Sequence, residues 1–213
     1  MRRGIYLLSL FLLLAIGSHA EKRVAATPAQ QQEMMEKIVQ ASAAMKSLVC
    51  EFEQTKELSI LNEKMVSKGK MYYRQDNRLR WEYQSPFTYT FLLNDKKILM
   101  QSESSRHVID VKASKLFQEI VKVMMNGING NGLTDAKNFK SHYFVEGKQW
   151  YVELVPLQKE MKQLFTTIGL TFDSGDYSVI EVTMTERSGD ETVIHLTQKQ
   201  WNEELADSIF VID

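Results

Sequence analysis

The chain has 213 residues with 26 basic and 27 acidic side chains, so its formal net charge at pH 7 is −1. A charge this close to zero excludes the polybasic surface that binding to nucleic acid or to anionic lipid headgroups requires. Because the chain has a single cysteine, Cys50, no disulfide can form within it. We expect this thiol to be a small buried apolar group.

The N-terminal residues have the pattern of a cleaved signal peptide. Arg2 and Arg3 precede an apolar run from Ile5 to Ile16, and the small residues Ser18 and Ala20 stand where a signal peptidase cleaves. The run is too short to span a bilayer comfortably, and a membrane anchor is the alternative interpretation. The pattern predicts a signal peptide that covers the first twenty residues and is removed.

Residues 21–213 are predicted to form one domain. Their number suits a single core of substantial size and does not require two. No cysteine directly follows Ala20 to accept a lipid. We therefore expect an exported protein that is soluble in the periplasm and monomeric.

The first element of this domain is predicted to be a helix that leads into a strand. Thr27-Pro28-Ala29-Gln30 combines a hydroxyl cap, proline at the first helical position and glutamine three residues after the cap. From Leu48 the pattern changes, because Leu48, Cys50 and Phe52 alternate with polar or outward-facing neighbours. The period of two indicates a strand with one packed face.

Strands and short turns then alternate along most of the chain. The turns contain Asn, Asp and Gly, and the strands have period-two patterns over residues 69–74, 78–83, 89–93, 98–102, 138–145, 149–155, 166–172, 178–185 and 193–198. Since neighbouring strands pair most simply in antiparallel fashion, the predicted fold class is mainly β with added helices (α+β). A flat sheet of this size would leave long exposed edges, so we expect an unclosed antiparallel β-barrel or strongly curved sheet.

A second helix is predicted over residues 114–125, where apolar side chains form a broad stripe that ends before Gly127. The apolar faces of the strands and of this helix have two interpretations. They either fill a dense core, or part of them lines a cavity in which methionine and aromatic groups repack around flexible chains. Periodicity does not separate the two.

The sequence lacks the common motifs of catalytic, nucleotide-binding and metal-binding sites. His107, His142 and His195 are dispersed without a partner at zinc-ligand spacing, and there is no nucleophile elbow, P-loop or dinucleotide-binding motif. We therefore predict no enzymatic activity, no metal site, no cofactor and no nucleic-acid partner. The alternative enzyme, a hydrolase or isomerase acting on lipid, would need a titratable cluster in the hollow, and the candidates for it are Glu82, Arg80 and His107.

One hairpin carries a family resemblance. The segment 69–83, GKMYYRQDNRLRWEY, resembles the signature hairpin of the periplasmic outer-membrane lipoprotein carriers, the LolA-like family. Phe52-Glu53-Gln54-Thr55 resembles the F-x-Q element in the first strand of that family. Further positions follow in the family order, and the resemblance covers the chain from about Gln30 to Phe210.

The resemblance implies an unclosed barrel with helices that form a lid over an apolar cavity. It also implies acylated lipoproteins or other lipid as cargo, an inner-membrane ABC transporter as donor and an outer-membrane acceptor. By position, Phe52, Leu79 and Trp81 match residues that face the cavity. Together with the patterns above, the predicted acyl-binding residues are Leu48, Phe52, Met71, Leu79, Trp81, Tyr83, Phe91, Leu93, Ile98, Met100, Leu116, Ile120 and Met124.

The chain departs from the family at the turn of this hairpin. Many members have a basic residue followed by proline there, and the basic group helps to latch the lid. This chain has Gln75-Asp76, so the predicted latch is assigned to Arg74 or Gln75. Because of this departure, another acylated molecule or a glycolipid is an open alternative as cargo. A periplasmic binding or sensor module of the same fold is a separate alternative to the carrier.

Overall fold

The computed structural model describes residues 22–61, 63–113, 118, 121, 125, 133 and 135–212. The predicted signal peptide and most of the predicted lid helix lie outside these residues. Of the predicted acyl-binding residues, Leu116, Ile120 and Met124 lie outside them as well.

The described residues form twelve strands and two α-helices. In chain order the strands are β1 (Val24–Ala25), β2 (Ser47–Leu58), β3 (Glu63–Arg74), β4 (Arg78–Ser85), β5 (Tyr89–Asn94), β6 (Lys97–Ser102), β7 (Arg106–Asp110), β8 (Phe139–Glu146), β9 (Gln149–Pro156), β10 (Phe165–Asp173), β11 (Val179–Glu186) and β12 (Glu191–Trp201). Helix α1 (Pro28–Ala44) lies between β1 and β2, and helix α2 (Lys159–Leu164) lies between β9 and β10. Short 3-10 helices cover Val111–Ala113 and Asp207–Phe210.

All twelve strands belong to one antiparallel sheet that does not close. Its order is β1-β8-β9-β10-β11-β12-β2-β3-β4-β5-β6-β7, so β1 and β7 form the two edges. Sequence neighbours pair with each other except at two places: β1 pairs with β8, and β12 pairs with β2, which joins the two halves of the sheet. The predicted fold class, an unclosed and curved antiparallel barrel, is confirmed.

Helix α1 begins at the predicted residue. The Thr27 side chain accepts a hydrogen bond from the Gln30 backbone, and the Gln30 side chain accepts one from the Thr27 backbone N–H, which completes a capping box. Met34 and Ile38 are buried in the same cluster as the inward-facing strand residues, so α1 packs on the inner side of the sheet. No helix in the described part of the chain has both the length and the apolar content needed to cross a membrane.

Gly69 allows the sheet to bend where β3 meets β4. The β3–β4 register shifts between Lys68 and Gly69, as in a β-bulge. A Cβ atom at Gly69 would lie 1.8 Å from the backbone oxygen of Glu82 and 2.8 Å from the ring of Phe52. A side chain at this position is therefore excluded by backbone, which cannot move without disturbing the ladder.

We predict that Gly69→Ala lowers the free energy of unfolding by about 3 kcal/mol, the upper end of the usual cost of overpacking. Gly169→Ala is the matched control, because the nearest atoms that its Cβ would meet belong to the Tyr151 side chain and not to backbone. For the control we expect a loss of about 1 kcal/mol. Urea unfolding followed by tryptophan fluorescence measures both values, and equal losses would contradict the role given to Gly69.

Cys50 is buried on β2, as expected of a small apolar residue. Burial raises the pKa of its thiol to about 12. At pH 8 only about one thiol in ten thousand is then ionised, and only the thiolate reacts with alkylating agents. We predict that the native protein resists iodoacetamide at pH 8 and is labelled once urea unfolds it. Labelling of the native protein at the rate of the unfolded chain would contradict this.

The C-terminal segment packs on the outer face of the sheet. Phe210 is fully buried in a small cluster with Leu92 and Leu99, which point away from the main core. Asn94 Nδ2 donates to the Phe210 carbonyl oxygen at 2.7 Å, and Arg80 Nη1 donates to the Ile209 carbonyl oxygen at 3.0 Å. These contacts give the sheet a second, smaller core on its convex side.

Two arginines hold the same segment by charge. Arg74 Nη2 lies 2.7 Å and Arg78 Nη1 3.0 Å from Asp207 Oδ1. The hydrogen bond from Arg74 keeps the pKa of the Asp207 carboxyl below its usual value, and Arg74 lowers the pKa of Asp76 in the same way. Both carboxylates are therefore ionised at neutral pH.

Candidate functional site

The inner face of the sheet surrounds an apolar cavity of about 370 Å³. Strands β2 to β5 line one side of it, and β8 to β12 with helix α2 line the other. The period-two alternation explains the lining, because every second side chain of a strand points to the same face. Apolar side chains dominate, so the cavity favours hydrocarbon over water.

Five of the predicted acyl-binding residues line this cavity. They are Leu48 on β2, Met71 on β3, Trp81 and Tyr83 on β4, and Phe91 on β5. These positions lie on the inward faces of neighbouring strands, with Met71 opposite Trp81 and Trp81 opposite Phe91. Their role in binding acyl chains stays a prediction.

Five other predicted residues belong to the packed core and do not line the cavity. The rings of Phe52 and Trp81 are 4.5 Å apart, and Phe52 also meets the edge of Tyr83 at 5.1 Å. Phe52, Leu79, Leu93 and Ile98 are buried in this cluster, and Met100 packs against it. These five residues are not among the cavity-lining side chains, and their predicted role in acyl binding stays a prediction.

Much of the lining comes from residues that the sequence analysis did not assign to the site. Strands β9 to β12 were predicted as strands, and their alternation would have identified the inward-facing residues. Helix α2, six residues long, was not predicted at all. The main contributors from these elements are Leu154, Met161, Ile168, Leu170, Val182 and Ile194.

Arg74 and Gln75, the predicted lid latch, lie on the outer face and in a turn. Because most of the predicted lid helix lies outside the described residues, the latch stays a prediction. Alternation along β3 puts Arg74 on the face opposite Tyr73, which is buried in the core. The Arg74 guanidinium accordingly pairs with Asp76 and Asp207 on the outer face. Gln75 is exposed in the turn, where its backbone N–H donates to the Lys46 carbonyl oxygen at 2.9 Å.

The candidates for a lipid-acting enzyme are not in the cavity either. Arg80 and Glu82 lie on the outer face of β4 and form an ion pair with each other. His107 is exposed on the edge strand β7. Among the described residues, no three acidic, histidine or cysteine side chains are grouped so that they could hold a metal ion.

One polar pair interrupts the apolar lining. The Tyr83 hydroxyl donates a hydrogen bond of 2.9 Å to Gln54 Oε1, and both side chains are partly buried at the cavity. Burial is the largest influence on the Tyr83 phenol and raises its pKa, so the hydroxyl keeps its proton at neutral pH. Gln54 is the glutamine of the F-x-Q element.

A sheet of this kind around an apolar cavity defines a class of proteins, the unclosed β-barrels that bind lipids or lipoproteins. The chain belongs to one family within it, described as outer membrane lipoprotein carrier protein LolA, whose family model matches residues 43–213. The resemblance seen in the sequence is thereby confirmed. No protein among the curated sequences matches the chain significantly.

Solved structures share the fold at low sequence identity. A LolA superfamily protein from Nitrosomonas europaea, NE2245, is 11% identical over 89% of this chain and 98% of that chain, with a TM-score of 0.48. A chain of the MucA/MucB complex of Pseudomonas aeruginosa is 10% identical over 86% of this chain and 61% of that chain, with a TM-score of 0.51. An uncharacterized conserved protein from Thermus thermophilus is 8% identical over 85% of this chain and 92% of that chain, with a TM-score of 0.50.

Proposed function

We propose that the protein is an exported periplasmic carrier that binds the acyl chains of lipoproteins and moves them from the inner to the outer membrane. The observation that carries this proposal is the apolar cavity of about 370 Å³ on the inner face of the sheet. Membership of the lipoprotein carrier family supports the choice of cargo. In this proposal the donor is an inner-membrane ABC transporter and the recipient an outer-membrane acceptor.

The physics of the cavity suits a reversible carrier. Each buried methylene contributes about 0.8 kcal/mol, so a guest of ten methylenes gains about 8 kcal/mol before the costs of ordering it. Because dispersion and burial supply most of this free energy, the same guest can transfer to any acceptor that offers equal apolar surface. No covalent step is needed in either direction.

Release of a lipoprotein from the inner membrane tests the proposal. Purified protein is added to energised spheroplasts of its own cell that synthesise an acylated outer-membrane lipoprotein. We expect the lipoprotein to appear in the supernatant in a one-to-one complex with the carrier. A lipoprotein whose acylated cysteine is replaced by serine is the control for the acyl chains.

The outcomes also separate the alternative functions. A protein that binds free lipid or glycolipid but releases no lipoprotein would be a lipid-binding module and not a lipoprotein carrier. One that binds a second protein equally well with and without acyl chains would be a protein-binding sensor module of the same fold, and a complex of two proteins, MucA and MucB, is known among structures with this fold. Either result would contradict the carrier proposal.

A further inference from the structure

The inner face of β2 changes character along its length. Leu48 and Phe52 are buried and apolar, Gln54 is a polar amide two residues after Phe52, and Lys56 two residues further on is charged. Lys56 Nζ pairs with Glu186 Oε1 at 2.7 Å, and Glu186 follows the cavity residue Met184 on the same face of β11. The inner face therefore passes from hydrocarbon, through an amide, to an ion pair.

This order matches the parts of an amphiphile. Gln54 is six positions after Leu48 along β2, which corresponds to about 20 Å of strand at about 3.3 Å per residue. An acyl chain fits the apolar stretch, and its polar head fits the end marked by Lys56 and Glu186. The carbonyl group that joins the two would then lie beside Gln54.

Gln54 has unused hydrogen-bonding capacity at that place. Its Oε1 atom accepts from the Tyr83 hydroxyl, which leaves both N–H donors of the amide directed elsewhere. No described residue accepts a hydrogen bond from this amide nitrogen. The other small polar residue of the lining, Ser178, is already engaged by Asp176 and Lys199.

The indole N–H of Trp81 is a second hydrogen-bond donor near Gln54. Trp81 lines the cavity beside Tyr83 and is more than nine-tenths buried. Its indole N–H has one contact, with the Tyr83 side chain, whose alignment falls short of a full hydrogen bond. Buried donors without acceptors cost free energy, which an incoming carbonyl oxygen removes. The Trp81 N–H lies near the Tyr83 hydroxyl and so near Gln54, where a guest with a carbonyl at its head would use it.

We infer that Gln54, held by Tyr83 and assisted by Trp81, recognises the carbonyl of an ester- or amide-linked acyl chain and fixes its direction, with the tail toward Leu48. The inference rests on the proposed function, because it requires an acyl chain in the cavity. It adds that the protein selects acyl groups over hydrocarbon chains of the same length. A glutamine amide suits this task since it donates without bringing a charge into the cavity.

Two lipids that differ only at this carbonyl test the inference. A monoacylglycerol has an ester carbonyl, and the alkylglycerol of equal chain length has an ether in its place. Each competes with a fluorescent fatty-acyl probe for the wild-type protein. We expect the ester to bind about tenfold more tightly, since one to two hydrogen bonds of ordinary strength are at stake.

Substitutions then locate the effect. Gln54→Met keeps the length of the side chain but removes the amide, and should reduce the preference for the ester to less than about threefold. Thr183→Val, on the other face of β11 and outside the lining, should keep the preference of about tenfold. Tyr83→Phe removes the hydroxyl that holds the Gln54 amide in place and should lower the preference to an intermediate value, which provides a second variant if Gln54→Met unfolds.

The possible results distinguish this inference from the proposed function. Equal binding of ester and ether by the wild-type protein would overturn the inference and leave the acyl cavity intact. A preference that persists in a folded Gln54→Met variant would overturn the role of Gln54. Binding of neither lipid nor the probe would overturn the proposed function and this inference with it.

Discussion

Replacing Phe210 by alanine is expected to lower the free energy of unfolding by about 3–5 kcal/mol, the usual cost of removing a buried phenylalanine. The ring is fully buried against Leu92 and Leu99, and its loss would leave a cavity on the outer face of the sheet. The C-terminal segment would then lose the apolar contact that supports its hydrogen bond to Asn94.

Urea unfolding measures this change, and Val211→Ala is the matched control. Val211 is the next residue and is 49% exposed, so its replacement should change the free energy of unfolding by less than about 0.5 kcal/mol. Because Phe210 lies on the opposite face from the cavity, Phe210→Ala should keep its affinity for an acyl probe well below its melting temperature. Equal effects of the two substitutions would show that the segment is not part of the folded core.

Filling the cavity is expected to abolish most binding without loss of stability. Val182 lies on the cavity lining of β11, and Val182→Trp would place an indole in the space that a guest needs. If the indole displaces about four methylenes of the guest, about 3 kcal/mol of burial is lost, which corresponds to a drop in affinity of more than about a hundredfold. Since the indole enters empty space, the free energy of unfolding should change by less than about 1 kcal/mol.

Thr183→Trp is the control for this substitution, because Thr183 is the neighbouring residue and points to the other face of β11. Titration with a fluorescent acyl probe should give wild-type affinity for the control. Wild-type affinity in a folded Val182→Trp protein would place the guest somewhere else. Loss of affinity in parallel with stability would mean that the substitution acts through the fold.

The strands were predictable because their faces differ so clearly in polarity. The predicted pairs on either side of Gln75 and of Gly147 agree with β3–β4 and with β8–β9 to within two residues, except that β3 begins at Glu63, six residues before the predicted start. Helix α1 was predictable from its cap alone. The edge strand β7 was not, since Arg106–Asp110 is mostly exposed and lacks an apolar face.

The position of the empty space could not be derived from alternation. Inward-facing residues such as Leu79 and Leu170 have the same pattern, yet Leu79 fills the core and Leu170 lines the cavity. The difference depends on how far apart the sheet holds opposite strands, which is a property of its curvature. A local pattern reports which face a side chain takes and not what lies across from it.

The sequence of β5 indicates that a further segment must pack on the outer face of the sheet. Phe91, Leu92 and Leu93 on β5 are consecutive apolar residues, so both faces of that strand need cover. One face packs in the main core, and Phe210 covers Leu92 on the other. The alternation of β5 does not identify the segment that covers Leu92, because Phe210 lies far along the chain from this strand.

Native mass spectrometry of the protein purified gently from its own cell envelope is the most direct measurement of what the sheet encloses. A mass that exceeds the polypeptide by an acylated protein or an acyl lipid, and that loses this adduct in Val182→Trp but not in Thr183→Trp, is the predicted result. A bare polypeptide mass in every preparation, or an adduct that Val182→Trp leaves in place, would contradict the assignment of the cavity as a binding site.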